Sequence, residues 1–137
     1  MLESVTSPPV ASRTYAYSSV AAYEVLRHGD PTFRSLAGQL NGLETVPAPP
    51  ADREHLLSLA GVHAFLKVAE ALVFAPAPVA AQREALAESA RSEGVPGDVV
   101  DASVAYGDRV AAHVLAWAGR DNIKGARAAA RLEVRQQ

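Results

Sequence analysis

The stretch HLLSLAGVHAFLKVAEALVF, residues 55–74, decides the fold of this chain. Only Lys67 and Glu70 carry a full charge within it, and apolar side chains cover nearly every side of its helical wheel. A helix that is apolar nearly all round lies either in a protein core or in a membrane. Two charges and two histidines are costly in hydrocarbon, which argues against a membrane. We therefore predict the central helix of a bundle, with no membrane span.

The composition fits one all-α domain. The chain has 137 residues, of which 49% are apolar, and it contains one Trp, three Phe and four Tyr. Such a sequence has too few aromatic and β-branched runs for a β-sandwich or barrel. Because cysteine is absent, disulfides, thiolate metal sites and cysteine nucleophiles are excluded. The first residues, MLESVTSPP, lack the basic and apolar regions of a signal peptide, and the localisation stays unknown.

Proline and glycine mark the bounds of a first helix. Ser7 followed by Pro8 is typical of a helix start, because a hydroxyl caps the helix and proline needs no N–H there. The helix is predicted to run to about His28 and to end at Gly29 in the left-handed conformation. Its expected buried stripe consists of Val10, Tyr17, Ala21 and Val25.

The segment between the first and the central helix is predicted to be irregular. Residues 35–40 suit a short turn or helix, because glycines at 38 and 42 interrupt any longer pattern. Residues 45–51, TVPAPPA, predict an extended connector with a restricted backbone. Asp52 is expected to cap the central helix.

Two more helices are predicted after the central one. Residues 79–93 suggest a charged surface helix that Gly94 ends, and a fourth helix is expected from about 96 to Ala118. The apolar face of the fourth helix is Val100, Val104, Gly107, Ala111, Val114 and Ala118, widened by Val110 and Trp117. The predicted architecture is an all-α bundle of four to five helices joined by short Pro/Gly loops, over residues 1–118.

Residues 119–137 are predicted to form a basic connecting segment or tail. The net charge of the chain is −2, but residues 1–118 hold 8 basic and 13 acidic groups, a net −5. The last nineteen residues hold 5 basic and 2 acidic groups, a net +3. The basic residues at helical spacing are Lys124, Arg127, Arg131 and Arg135. Such a strip suits anion binding, but short charged ends are usually only solvated, and no nucleic-acid-binding motif accompanies it.

One candidate polar cluster lies on the central helix. His63, Lys67 and Glu70 share one side of it, at i, i+4 and i+7. They suit either an acid–base or anion-binding strip, or a buried structural network, and we favour the structural interpretation. Lys67 and Glu70 are expected to pair with each other, or with Glu24 or Arg109 on neighbouring helices. We expect Glu70→Ala to cost about 3 kcal/mol of stability.

The other candidate residues have simple structural interpretations. His55 and His63 are eight residues apart without a third ligand, which makes a zinc site improbable. Asp98 suits the first turn of a helix, and Asp101 and Asp108 are assigned to a solvated border. The sequence contains neither a nucleophile elbow nor a glycine-rich phosphate loop. No catalytic, cofactor-binding or metal-binding residue is therefore assigned.

A family resemblance adds to this interpretation and covers nearly the whole chain. The residues that carry it are SPPVASRTYAY (7–17), VAAYE (20–24), SLAGQLNGL (35–43), the central helix ending in VF (73–74), and a late block from YG (106–107) to WAGRDN (117–122). The chain resembles the vanadium-dependent haloperoxidase-related branch of the type 2 phosphatidic acid phosphatase superfamily. The resemblance implies the N-terminal helical half of such a protein, and many members are exported by bacteria.

The motifs of the family's catalytic half are not found in this sequence. They are Lys-x6-Arg-Pro, Pro-Ser-Gly-His and Ser-Arg-x3-Gly-x-His, whose lysine, arginines and histidine hold vanadate or phosphate. Lys124 and Arg131 have the first spacing, but leucine follows where proline belongs. Residues 12–13, Ser-Arg, begin like the third motif, but Tyr17 and Ser19 replace its glycine and histidine. The resemblance implies vanadate or phosphate in a missing half and no cofactor in this chain.

Three hypotheses about function follow. The chain is a non-catalytic helical segment that supports a catalytic half, in the same or a separate chain, of a haloperoxidase or phosphatase. Alternatively, it is a stand-alone helical interaction module, or an anion-binding module acting through its basic tail. The first, central and fourth helices carry more apolar faces than four helices of this length can cover, so we also expect an exposed apolar patch that self-association or a second chain would cover.

Overall fold

The structure, a computed structural model, describes the backbone of residues 8–73 and 76–136 and the side chains of residues 11–73 and 76–120. These residues form four α-helices and no strand. The helices are α1 (Pro8–Leu26), α2 (Leu57–Leu72), α3 (Ala77–Ser92) and α4 (Gly97–Gln136), and a short 3₁₀ helix, Arg27–Gly29, follows α1. The predicted all-α bundle is confirmed. Ser7 and the side chain of Val10 lie outside the described residues.

The helix α2 is the centre of the bundle, as its sequence predicts. It contacts α1, α3 and α4. Leu26 of α1 packs at Gly61 and Gly29 lies near Leu57, so α1 runs antiparallel to α2. The backbone of Leu56 meets Ser103, and His63 meets Asp108, so α2 and α4 run in the same direction. None of the helices within the described residues is long and apolar enough to cross a membrane.

The start of α2 differs from the prediction. Asp52 lies in a turn and does not cap the helix, which begins at Leu57 with Leu56 in the N-cap position. No side chain of its own segment caps it. Instead, the N–H of Leu56 donates to Oγ of Ser103 on α4 at 2.9 Å. Because this partner is 47 residues away in the chain, a local capping rule points to the wrong residue.

The two predicted glycine stops behave differently. Gly29 has no positive φ, and α1 instead tightens into the 3₁₀ turn, where the N–H of Asp30 donates to the carbonyl of Arg27. Gly94 has a φ of +98° and ends α3 as predicted. Its N–H donates to Arg91 and the N–H of Val95 donates to Ala90, which is the Schellman pattern. The left-handed prediction is therefore wrong for Gly29, and the prediction that Gly94 ends α3 is confirmed.

The helix α4 is longer than predicted, since its backbone continues past Ala118 to Gln136. Gly119 has no positive φ, so the chain has no left-handed stop there. The side chains of residues 121–137 lie outside the described part of the chain. The role of the basic strip, with Lys124 and Arg131, therefore stays a prediction.

The connection between α1 and α2, residues 30–56, is held to the bundle by side chains of the helices. We call it the strap. Tyr23 donates to the carbonyl of Arg34, and four side chains of α4 reach carbonyls further along the strap. These are Arg120 to Gly42 at 3.5 Å, Trp117 to Asn41 at 3.0 Å, His113 to Glu44 at 3.1 Å and Tyr106 to Pro47 at 2.9 Å. The strap therefore runs down α4 from the level of Trp117 to that of Tyr106.

The hydrophobic core lies between α1, α2, α4 and the strap. Tyr17, Ala21 and Val25 of α1 are buried as predicted. On the predicted face of α4 only Val104 is half-buried rather than buried. Leu43 and Val46 of the strap join the same core. In contrast, α3 has no buried residue, in agreement with its prediction as a surface helix.

Candidate functional site

The predicted polar cluster of α2 meets α3 and α4 through two separate pairs. His63 is 1% exposed, and its Nε2–H donates to Oδ1 of Asp108 at 2.6 Å. Glu70 is paired with Arg83 of α3, whose Nε–H donates to it at 2.8 Å. Neither Lys67, Glu24 nor Arg109 is this partner, so the predicted pairing of Glu70 is wrong. The partner was missed because α3 has no buried residue and was expected to be a surface element.

Asp108 is the second correction in this cluster. The sequence assigns it to a solvated border, and its side chain is indeed 45% exposed. One of its oxygens nevertheless accepts the hydrogen bond from the buried ring of His63. An imidazole withdrawn from water needs a hydrogen-bond partner, and Asp108 supplies it at the edge of the core. Asp101 is more exposed and pairs with Arg91 of α3 at 2.7 Å.

Electrostatic interactions in this corner favour the charged forms of Glu70 and Arg83. The hydrogen bond from Arg83 lowers the pKa of Glu70, and the charges of Arg83, Lys67 and His63 lower it further. The pKa of Arg83 is raised mainly by its hydrogen bond to Glu70, and also by the charges of Glu70 and Asp108. The pair therefore stays ionised at neutral pH and joins α2 to α3.

A close approach of α2 and α4 explains why the His63 ring is enclosed. A Cβ at Gly107 would lie 2.8 Å from the carbonyl oxygen of Ala60 and 3.0 Å from Cδ2 of His63. Real Cβ atoms do not come this close to a backbone oxygen, so only glycine allows the helices to meet at this distance. The face predicted from the sequence includes Gly107, but not this reason for it.

The chemistry available to the His63–Asp108 pair is limited by access. A carboxylate that holds one imidazole nitrogen is the arrangement that orients a general base. A base also needs its other nitrogen near a substrate, and Nδ1 of His63 is buried with no hydrogen-bond partner in the described structure. We therefore interpret the pair as a structural contact, and the absence of catalytic residues stays a prediction.

Glu24 of α1 is the buried charged group that the sequence does not single out. Its side chain is fully buried and accepts a hydrogen bond from Nε–H of Arg27 at 2.9 Å. The strap supplies the other donors. Both carboxylate oxygens lie within about 3 Å of Oγ of Ser35, and the N–H of Leu36 donates at 2.6 Å. Four short contacts thus satisfy a carboxylate withdrawn from water.

Tyr106 supports the other end of the strap. Its ring is buried, its hydroxyl donates to the carbonyl of Pro47, and burial is the main reason that its pKa is raised to about 12. The rings of His28 and His55 meet it edge-on, with centroids at 6.3 and 5.8 Å. The guanidinium of Arg109 lies 5.8 Å from the ring centroid. The phenol therefore stays protonated and serves as a structural donor.

An open cleft of about 370 Å³ lies beside Tyr106, between residues 50–55 and α4. Its charged lining is Arg53, Arg109 and Asp52, together with His55. The Nδ1–H of His55 donates to the carbonyl of Arg53. Two guanidinium groups share the lining of this cleft, but Asp52 offsets one of them.

The surroundings of the buried His63 do not fit vanadate as a bound group. Vanadate needs several cationic donors around one histidine, but the buried His63 faces the carboxylate of Asp108, which would repel an oxyanion. Three arginines are paired with carboxylates: Arg27, Arg83 and Arg91. Within the described ranges no group of three His, Asp or Glu side chains is arranged to hold a metal ion. Any vanadate site therefore needs residues other than these.

Comparison with known proteins identifies the class to which this arrangement is similar. No protein-family model and no curated protein matches the chain. Two solved chains do match. One is the crystal structure of a bacterial vanadium-dependent iodoperoxidase, described as the first of its kind. Its chain is 37% identical to this one and superposes with a TM-score of 0.83.

The extent of the match determines what it establishes. The alignment covers 93% of this chain but only 30% of the iodoperoxidase chain. The resemblance to the helical part of a vanadium-dependent haloperoxidase is thereby confirmed. The phosphatase side of the family resemblance has no such support, and more than two-thirds of the iodoperoxidase has no counterpart in these residues.

Proposed function

We propose that this chain is the non-catalytic helical part of a vanadium-dependent haloperoxidase-like protein. Its role is to support a catalytic half that holds vanadate. The observation that carries the proposal is the match to the iodoperoxidase, which spans nearly all of this chain and less than a third of the other. The shared fold supports assigning this segment to such a protein, and the catalytic motifs named above are not among its residues.

The contacts of the described side chains are consistent with a structural role beside a catalytic half. The charged groups with short contacts join elements of the bundle: Glu24 holds the strap, Glu70 and Arg83 join α2 to α3, and Asp108 holds His63. Groups that are used in this way are not free to bind a substrate. The strap and the close contact at Gly107 produce a rigid platform, which is what a catalytic half needs to position its ligands.

An activity measurement tests the non-catalytic part of the proposal. Residues 1–137 supplied with vanadate and hydrogen peroxide should oxidise neither iodide nor bromide above a buffer blank, and should not hydrolyse p-nitrophenyl phosphate. The reason is that the family's catalytic motifs are not among these residues. Vanadate-dependent turnover that is abolished by His63→Ala, in a protein that remains folded, would overturn the proposal.

A fusion tests the supporting part. Residues 1–137 are joined to the iodoperoxidase in place of the matched 30% of that chain. The fusion protein is expected to fold and to show vanadate-dependent iodide oxidation. The control is the iodoperoxidase from which the matched part is deleted and not replaced, and it should be inactive or insoluble. A fusion that folds but has no activity would contradict the proposal.

A further inference from the structure

The outward side of α1 has one exposed charged residue among those described, Arg13 near its start, and an uncharged stripe runs along the rest of it. Its residues are Ser12, Tyr15, Ala16, Ser19, Ala22 and Leu26, and we call this stripe the outer α1 face. Tyr15 is 69% exposed and Leu26 47%. A helix at a protein surface normally places charged side chains on the side that faces water. The outer α1 face has none over about four turns.

The helix α3 provides the contrast within the same bundle. It is also exposed on its outer side, and that side carries Glu84, Glu88 and Arg91. Arg91 forms ion pairs with Glu88 of the same helix and with Asp101 of α4. The difference between α1 and α3 is therefore not a property of the whole protein surface. The outer side of α3 is charged, as expected of a solvated helix face, whereas the outer α1 face is uncharged.

The outer α1 face continues into α2 and the strap. Leu26 packs directly at Gly61, where a Cβ would lie 3.0 Å from its Cγ, and the next residue, Val62, is 44% exposed. On the other side, Phe33 of the strap is 53% exposed and meets the ring of Tyr23 with centroids 6.4 Å apart. Four of the five large exposed hydrophobic residues in the described structure are thus on or beside this face.

We propose that an apolar helix of the catalytic half packs on the outer α1 face, an inference that rests on the proposed function. The middle of the face is made of Ala16, Ser19 and Ala22, whose small side chains let another helix approach closely. Tyr15 and Leu26 at its two ends supply the larger apolar contacts. The iodoperoxidase has more than two-thirds of its chain beyond the matched part, which is ample to cover the face.

A second copy of this chain is a poorer occupant. The face is one helix wide and, from Ser12 to Leu26, about 21 Å long at 1.5 Å per residue. A stable protein–protein interface buries about 800 Å² on each partner, several times the area of such a strip. A covalently connected or separately folded half that also contacts other parts of the bundle does not depend on this strip alone.

The test uses the fusion protein described above with two matched substitutions. Ser19→Arg places a charge in the middle of the outer α1 face, and Ser89→Arg places the same charge on an exposed serine of α3. We expect Ser19→Arg to lower vanadate-dependent iodide oxidation by about tenfold or more, because it displaces the half that holds vanadate. Ser89→Arg should leave the rate unchanged, and Ser19→Ala, which keeps the residue small, should retain activity.

Measurements on residues 1–137 alone complete the design. Both arginine variants are expected to unfold at the same temperature as the unmodified chain, since each serine is exposed. An active fusion in which both arginine variants have equal rates would overturn the docking site and leave the proposed function intact. An inactive unmodified fusion would instead remove the proposed function and this inference with it. A dimer of the isolated chain that Ser19→Arg dissociates would assign the face to a second copy.

Discussion

Two buried or partly buried carboxylates hold different regions of this bundle. Glu24, in the strap region, is fully buried and accepts hydrogen bonds from Arg27, Ser35 and the N–H of Leu36. Glu70, in the corner between α2, α3 and α4, is 24% exposed and is held by one arginine, Arg83. The comparison teaches that the number of donors and the loss of water, rather than position on the central helix, decide how much a carboxylate matters.

The largest effect is expected at Glu24. Glu24→Ala leaves the guanidinium of Arg27, the hydroxyl of Ser35 and the N–H of Leu36 without their acceptor. Because this acceptor is charged and fully buried, its removal should lower the free energy of unfolding by about 4 kcal/mol. Urea denaturation at neutral pH measures the change.

Glu24→Gln sharpens that measurement. The amide oxygen of glutamine can still accept the hydrogen bond from Leu36, but the charge that pairs with Arg27 is lost. The expected loss is about half of that for alanine, since the neutral amide keeps part of the hydrogen bonding. Equal unfolding midpoints for the unmodified chain and Glu24→Ala would show that the strap does not depend on this residue.

The next effect is expected in the corner, at the contact between α2 and α4. Gly107→Ala places a Cβ 2.8 Å from the carbonyl oxygen of Ala60, which is backbone and cannot turn aside. The helices must separate, and the expected cost is about 2 kcal/mol. Gly119→Ala on the same helix is the matched control, because its Cβ would meet nothing within 4 Å.

The control is expected to change stability in the opposite direction. Alanine is a better helix former than glycine by about 0.8 kcal/mol, so Gly119→Ala should raise the thermal midpoint while Gly107→Ala lowers it. Thermal unfolding followed by circular dichroism distinguishes the two. A rise in the midpoint for both variants would mean that α2 and α4 can separate at Gly107 without cost.

These differences also show what sequence reasoning can reach. The apolar pattern of residues 55–74 identifies α2 as the central helix, and the faces of α1 and α4 follow from helical spacing alone. Glu70 was singled out because it lies on α2, and Glu24 was considered only as its possible partner. Two of the three partners of Glu24, Ser35 and Leu36, belong to a segment without periodicity, so no spacing rule connects them to α1.

The predicted cap of α2 was wrong for the same physical reason. A capping residue is expected next to the helix start, and Asp52 is the nearest Ser, Thr, Asp or Asn that precedes the apolar run. The structure uses Ser103 of α4 instead, which only the packing of two distant helices brings close. The sequence likewise gives no sign that Asp108 accepts a hydrogen bond from the buried ring of His63, because His63 lies 45 residues earlier.

A smaller effect is expected where the strap meets α4. Tyr106→Phe removes the hydroxyl that donates to the carbonyl of Pro47 and keeps the ring that packs beside His28 and His55. One hydrogen bond between neutral groups contributes about 1 kcal/mol, and this is the expected loss. Chemical denaturation measures it, with Tyr15→Phe on the exposed face of α1 as the control that should change nothing.

The smallest effect is expected at Glu70. The sequence alone suggested a cost of about 3 kcal/mol for Glu70→Ala, on the assumption that its charge is buried. The side chains of Glu70 and Arg83 are 24% and 18% exposed, so water screens the pair and the expected cost falls below about 1 kcal/mol. Glu88→Ala on α3, whose carboxylate is 73% exposed, should cost still less.

The pH dependence of Glu70→Ala separates its charge from its packing. The hydrogen bond from Arg83 lowers the pKa of Glu70 below the ordinary value of 4.5. A carboxylate with a lowered folded-state pKa stabilises the fold above its unfolded pKa, and this contribution is lost as the pH falls through the folded value. The stability difference between the unmodified chain and Glu70→Ala should therefore be full at pH 7 and should shrink as the pH falls below the ordinary pKa of a glutamate. A stability difference that stays constant as the pH falls would assign the effect to the packing of the methylene groups of Glu70. The charge of Glu70 would then contribute nothing to stability, and Glu24 and Glu70 could not be compared as two charged groups.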